Sequence, residues 1–222
     1  VAGVLLIAVA AVLLAVRASA ASRASRPIWG LLAGGAALNA LAEGLWTALD
    51  ALGGDPGAAS LGPDSIYLAS YALMGAAVGM LVRRTAPRAA RASLPDVAGF
   101  LVVSGFASWQ FFVVSPGASD DPLFERLVLA AYPLFDCVLL ALVFWYVLAA
   151  PSAGRVAWLI VAFTVLYTLA DVMYGVADVL SLTDPGVADI TFATAFGVLG
   201  AAAAWRGDLL ATPAIGDGSH VP

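Results

Sequence analysis

The chain has 222 residues, of which 62% are hydrophobic and only 11% are charged, and its mean hydropathy is +0.97. A water-soluble domain of this size could not hide so much apolar surface, so the composition excludes the ordinary soluble classes and makes lipid the main solvent. The net charge of −5 offers no basic surface for nucleic acid, and we expect no such partner.

Seven apolar runs follow one another along the chain, each close to the roughly 20 residues that a spanning helix needs. They occupy residues 1–16, 27–51, 65–82, 94–114, 125–149, 156–180 and 189–204. These runs predict an all-α integral membrane protein with seven transmembrane helices, multi-pass in the cell membrane, whose transmembrane domain covers residues 1–207. Residues 208–222 are polar and rich in Gly and Pro, which predicts a flexible cytoplasmic tail or a linker to a domain outside this chain.

The basic residues, all of them arginine, predict the orientation of the helices. Nine of the ten follow the first, third, fifth or seventh span. The opposite side carries Asp55, Asp120, Asp121 and Asp184, with Arg126 as its single cation. Because cytoplasmic loops are enriched in Arg and Lys, the N-terminus is predicted outside and the C-terminus in the cytoplasm. An Ala-Ser-Ala sequence at residues 18–20 would fit signal-peptide cleavage, but no basic segment precedes it, which favours a spanning helix in a chain that is longer upstream.

The second and sixth spans are similar to each other, which indicates an internal repeat. Each carries an acid, an aromatic residue and a second acid at the same spacing, followed by Asp-Pro-Gly. The third and seventh spans also match each other in an acid, two aromatic residues and a glycine. We therefore predict helix 1 followed by three related helical hairpins (2-3, 4-5 and 6-7), arranged as parallel repeats. The middle hairpin fits this pattern more loosely.

Two acids of the repeat, Glu43 and Asp171, are the strongest candidates for function. Each lies about 16 residues from the cytoplasmic start of its span, just past the middle of the bilayer at roughly 1.5 Å per residue. An ionisable group at that depth is a functional candidate by default. If the hairpins pack around a common axis, these acids and nearby aromatic residues converge on a pocket in the outer half of the membrane. The predicted ligand-binding residues are Glu43, Trp46, Tyr67, Tyr71, Trp109, Tyr132, Asp136, Asp171, Tyr174 and Phe192.

A structural interpretation of the same acids remains open. They would then hydrogen-bond neighbouring helices and stabilise the bundle without binding a ligand. Asp64 and Asp189 each open a predicted span, and we expect both to be N-caps. Gly30 with Gly34, and Gly75 with Gly79, match the GxxxG pattern for close helix contact, either within the chain or in a homodimer.

Several chemistries are excluded by the absence of a residue type. The chain has no Lys, so a retinal Schiff base of the microbial rhodopsin kind cannot form, although the predicted helix count and orientation match those proteins. The single histidine, His220, lies in the tail, which removes the usual haem and zinc ligands from the bundle. Cys137 is alone and cannot form an intramolecular disulfide. No catalytic or metal-binding residue is assigned, whereas a non-covalent chromophore is compatible with the predicted site.

Three motifs resemble the multi-helix membrane regions at the N-termini of actinobacterial diguanylate cyclases with GGDEF domains. They are Asp64-Ser-Ile-Tyr67-Leu-Ala-Ser-Tyr71, the Ser108-Trp109 pair followed by Ser115-Pro116, and Ala131-Tyr132-Pro133-Leu-Phe-Asp136. The resemblance extends over about residues 36–205. It implies a sensory input domain whose cytoplasmic output domain, missing from this chain, makes or degrades cyclic di-GMP.

The leading functional hypothesis is therefore a membrane-embedded sensor that binds a small apolar or aromatic ligand, or a non-covalent chromophore. The alternative is an integral membrane cyclase or isomerase of isoprenoid-type lipids, with a carboxylic acid as general acid and the aromatic rings stabilising a cation. Transport by parallel repeats is a third hypothesis, but the spans lack the broken helices that mark many transporter sites. We favour the sensor over the enzyme for this chain.

Overall fold

The fold is all-helical throughout the part of the chain that the computed structural model describes. That part comprises residues 2–53, 61–85, 87–92, 94–112, 123–150, 154–179, 186–207 and 209–210. The acidic loop residues Asp55, Asp120, Asp121 and Asp184 lie outside it, as do residues 211–222 of the predicted tail. The side chains of Arg126 and Asp178 lie outside it as well.

Eight helices are present in the described residues. They are α1 (Ala2–Ala20), α2 (Arg26–Ala51), α3 (Leu61–Thr85), α4 (Pro87–Ala92), α5 (Leu94–Phe112), α6 (Leu123–Ala149), α7 (Arg155–Val179) and α8 (Gly186–Ala204). Six of them, α1, α2, α3, α6, α7 and α8, are long and apolar enough to cross a membrane. In α5, the apolar stretch described is the shorter Leu94–Ala107. The prediction of an all-helical, multi-helix membrane protein is thus confirmed.

The six long helices form a closed ring of neighbours. Going round it, α1 packs on α2, α2 on α3, α3 on α6, α6 on α7, α7 on α8, and α8 returns to α1. Helix α5 packs on α6 from outside this ring, and the short α4 contacts α3, α5 and α6. The ring therefore has an interior that belongs to six helices, and α5 lies at its edge.

Large apolar side chains cover the outside of the structure as well as its centre. Val102 on α5 is 72% exposed and Ile190 on α8 is 69% exposed, whereas Phe163 and Phe196 are buried inside the ring. Such an exterior would be unfavourable in water and is suited to contact with lipid chains. The apolar surface is consistent with a bilayer as the partner of the outer faces.

Small residues allow the helices of the ring to approach each other closely. A Cβ atom on Gly35 of α2 would lie 2.8 Å from Met74 Cγ and 3.3 Å from the Ser70 carbonyl oxygen of α3. Gly75 and Gly79 of α3 face leucines of α6 at 3.7 Å. The two glycines of the second GxxxG pattern therefore contact another helix of the same chain, as small residues at helix interfaces in membranes commonly do.

Gly35→Ala should destabilise the bundle, because the added methyl group would overlap Met74. The Ser70 backbone beside it is held in a helix and cannot shift to make room. We expect a loss of about 1–3 kcal/mol, the usual range for overpacking, seen as a lower melting temperature of the purified protein in detergent. Gly30→Ala is the matched control, since a Cβ there meets no atom within 4 Å. Equal melting temperatures for the two variants would contradict the close contact between α2 and α3.

Candidate functional site

Five of the six tyrosines in the chain take part in one region of hydrogen bonds between helices. Tyr67, Tyr71, Tyr132 and Tyr174 each donate to a carboxyl group, and Tyr167 donates to an amide oxygen. These bonds connect α2, α3, α6, α7 and α8. We call this set of tyrosines and their acceptors the tyrosine–acid network.

Asn39 of α2 forms the innermost part of the network and is fully buried. Its Nδ2 donates to the Ser70 hydroxyl of α3 at 2.6 Å and to the Gly35 carbonyl at 3.2 Å, and its Oδ1 accepts from the Tyr167 hydroxyl of α7 at 3.1 Å. Ser70 in turn donates to the Tyr67 carbonyl at 2.7 Å. Since a buried amide without partners is costly, these bonds hold α2, α3 and α7 in a fixed arrangement.

The next layer contains Glu43, Asp136 and Asp171. The Tyr67 hydroxyl donates to Glu43 Oε2 at 2.5 Å, which joins α3 to α2. The Tyr71 hydroxyl lies in hydrogen-bond contact with Asp171 of α7 and, at 3.2 Å, with Oδ1 of Asp136 on α6. The structure therefore brings three of the predicted acids to adjacent tyrosines of α3, one helical turn apart.

The outer layer contains two acids that the sequence analysis had assigned to helix caps. Asp64 accepts a hydrogen bond from the Tyr132 hydroxyl at 2.7 Å, and Asp189 accepts one from the Tyr174 hydroxyl. Helix α3 begins at Leu61 and α8 at Gly186, so both acids lie inside the first turn of their helices. The N-cap interpretation was therefore wrong, because α3 begins four residues and α8 three residues before the apolar runs at 65–82 and 189–204.

Aromatic rings fill the space between these polar groups. The ring centroid of Tyr71 lies 5.2 Å from Tyr167, 5.7 Å from Phe135 and 6.2 Å from Tyr132. Phe192 of α8 is buried, 5.3 Å from Tyr167 and 6.4 Å from Tyr174. Edge-to-face and tilted contacts at these distances are the favoured geometries of aromatic pairs. The rings thus form a continuous cluster across α3, α6, α7 and α8.

Two predicted site residues lie away from these contacts. Trp46 is half-buried on α2, about one turn beyond Glu43. Trp109 is 51% exposed on α5, which packs outside the ring, and the structure does not bring it to the network. The position of α5 explains the difference, because a helix outside the ring cannot direct a side chain into its interior.

The predicted set also lacked several members of the network. The spacing of four residues predicts that Asn39 shares a helical face with Glu43, and Tyr167 with Asp171, although neither was assigned to the ligand-binding set. Ser70 could have been found as a polar residue between Tyr67 and Tyr71.

Among the described residues, no group of three His, Cys, Asp or Glu side chains is arranged to hold a metal ion.

Comparison with known proteins adds no relative to this picture. No protein-family model matches the chain, and neither a curated protein nor a solved structure matches it significantly. The fold and the site define the class directly: this is a multi-helix membrane protein with a tyrosine–acid network inside a ring of helices.

Tyr167→Phe should destabilise the protein, because it removes the hydroxyl that satisfies Asn39 Oδ1 and leaves that oxygen buried. We expect a loss of about 1 kcal/mol, typical of a hydrogen bond between membrane helices, measured as reduced resistance to unfolding in SDS. Tyr146→Phe is the control, since this buried tyrosine lies near the other end of α6, outside the network. A Tyr167→Phe variant as stable as Tyr146→Phe would show that the Asn39 contact is not formed.

Proposed function

We propose that the chain crosses the membrane seven times, with its N-terminus outside and its C-terminus in the cytoplasm. Helix α5 has 19 residues and would supply the seventh span. The contacts of two arginines support a single basic end of the ring. Arg17 donates to the Gly207 carbonyl and lies 5.7 Å from the centre of the Trp29 ring. Arg155 lies 5.9 Å from the centre of the Trp205 ring. A cytoplasmic position of this end agrees with the positive-inside rule. The pairs α2–α3, α5–α6 and α7–α8 would form the three hairpins.

Cysteine labelling tests this topology. In a Cys137→Ala background, Asp120→Cys should react with a membrane-impermeant maleimide in intact cells, whereas Arg88→Cys should react only after permeabilisation. The two positions flank α5, so labelling from opposite sides requires that α5 crosses the membrane. If both positions were labelled from the same side, the chain would have six spans and the proposed seven-span topology would be wrong.

We infer that the protein is a sensory input module that binds a small apolar or aromatic ligand, or a non-covalent chromophore. The observation that carries this proposal is the tyrosine–acid network, whose bonds run between five helices. Its buried members, such as Tyr71 and Tyr167, lie beside half-buried ones, such as Glu43, Tyr67 and Tyr174. A ligand inserted at the half-buried members would contact both aromatic rings and carboxyl groups, as small-molecule sites commonly require.

Ligand binding at this position would change how the helices pack. A ligand that takes the place of one tyrosine hydroxyl breaks a bond between two helices, so the bound and free proteins favour different packings. Such a difference in affinity between two packings is the physical requirement for a signal. The resemblance to GGDEF-linked membrane regions supports cyclic di-GMP as the output, made or degraded by a cytoplasmic domain that follows the bundle.

The ligand should be found by mass spectrometry and absorption spectroscopy of the protein purified from its native membrane. Replacement of Glu43 and Asp171 together by Gln and Asn should lower the retained ligand roughly tenfold, since each acid holds a hydroxyl that shapes the site. Asp50→Asn is the matched control, because Asp50 lies on the same helix as Glu43 but is exposed. Unchanged retention in the double variant would exclude this site.

The same preparation tests the enzyme alternative. Incubation of the purified 222-residue chain with isoprenoid substrates would yield cyclised or isomerised products if a carboxylic acid of the network acted as general acid. Product formation that is lost in Asp171→Asn would replace the sensor proposal by a catalytic one. A retained, unmodified ligand without turnover is the result that the sensor proposal expects.

A further inference from the structure

The Tyr71 hydroxyl lies between two carboxyl groups that belong to different helices. It contacts Asp171 of α7 closely and Oδ1 of Asp136 on α6 at 3.2 Å. Tyr71 is 1% exposed and Asp136 is 5% exposed. One phenol of α3 therefore bridges the carboxyl groups of α6 and α7 in the interior of the ring.

The number of hydrogens in this bridge limits the charge that it can hold. A phenol has one O–H and can donate one strong hydrogen bond, while an ionised carboxylate only accepts. If both acids were ionised, one of them would face the Tyr71 oxygen with no hydrogen between the two atoms. A second hydrogen, on one of the carboxyl groups, satisfies all three side chains. We assign the extra hydrogen to Asp136, because its side chain is 5% exposed whereas Asp171 is half-buried, and a charge is costlier at the more buried position.

Among the side chains that the structure describes, the groups that face this bridge from the neighbouring helices supply no positive charge. They are acids, phenols, an amide and the hydroxyl of Thr168, which lies beside Asp136. A proton is therefore the charge available among the described residues to neutralise the two carboxylates. From α2 to α8, the other facing groups are Asn39 and Glu43, then Asp64 and Tyr67, Tyr132, Tyr167 and Tyr174, and finally Asp189. Helices α4 and α5 carry Arg88, Arg91 and Asp96 near the end where α3 finishes, far along α3 from Tyr71.

We propose that Asp136, Tyr71 and Asp171 form a proton-binding site that couples protonation to the packing of α3, α6 and α7. In the protonated form, the Asp136 carboxyl donates to the Tyr71 oxygen and Tyr71 donates to Asp171. On release, the O–H bond of Asp136 breaks, its electron pair stays on the carboxylate, and the proton passes to a water molecule or buffer base. This site shares Asp171 with the proposed ligand site, but proton binding does not require the ligand and can be measured in its absence.

Release of the proton should loosen one side of the ring. Two carboxylates then share the one hydroxyl of Tyr71 in a region of low dielectric constant, where like charges repel strongly. Only one of the two can keep the Tyr71 bond, so the link from α3 to either α6 or α7 is lost. The site would make the bundle respond to pH through a local change of charge at a packed interface.

Infrared spectroscopy of the protein in lipid nanodiscs tests the proposal directly. With ¹³C-labelled aspartate, the wild type at neutral pH should show the C=O stretch of a protonated aspartic acid, which disappears as the pH is raised. Asp136→Asn and Asp171→Asn should each lose this band, because the remaining carboxylate can pair with Tyr71 alone. Asp50→Asn is the control and should keep it.

Two results would overturn the proposal. One is a wild-type spectrum at neutral pH without any protonated aspartic acid, which decides the question even if a variant does not assemble. The other is a band that persists when Asp136 and Asp171 are both replaced by Asn, which would place the proton on another acid. A second readout is stability: the wild-type melting temperature should fall as the band disappears, and Asp136→Asn, which keeps a neutral donor, should not show this fall.

Discussion

The interior of a helix bundle in a membrane offers buried polar groups no bulk water, so each must find its partner on another part of the protein. Asn39 meets this requirement through Gly35, Ser70 and Tyr167, and thereby fixes which faces of α2, α3 and α7 meet. The tyrosine–acid bonds extend the same requirement to α6 and α8. The hydrogen-bonded polar side chains therefore distinguish the interior of this ring from its exterior.

Apolar burial does not make that distinction in lipid. Exposed Val102 and buried Phe163 have surroundings of similar polarity once lipid chains cover the outer faces, so hydrophobicity alone does not select the side that faces inward. Close contact at small residues adds a second criterion. Gly35 against Met74, and Gly200 against Ala10, let neighbouring backbones approach where larger side chains could not. Hydrogen bonds between polar side chains and close contacts at small residues together determine which helix faces pack inside the ring.

The two proposals for function act on the same bonds in different ways. A small ligand would compete for the hydroxyls of the half-buried tyrosines, whereas a proton would change the charge of the buried Asp136–Tyr71–Asp171 bridge. Each would alter a bond between helices and not within one, so each would change packing. Packed interfaces tend to switch between discrete arrangements. The loss of one hydrogen bond at Tyr71 would therefore change the packing of several helices in the ring.

The sequence by itself determined the all-helical membrane character and most of the acids and tyrosines that form the network, since composition and helical spacing are local properties. The seven-span count and the orientation stay predictions. Only the tertiary structure decided that Trp109 lies outside the ring, that Asp64 and Asp189 accept from Tyr132 and Tyr174, and that Tyr71 bridges acids of two other helices. These facts depend on which helices are neighbours and how each is rotated. The polar faces of two spans indicate which side turns inward, but no local pattern specifies which helices become neighbours.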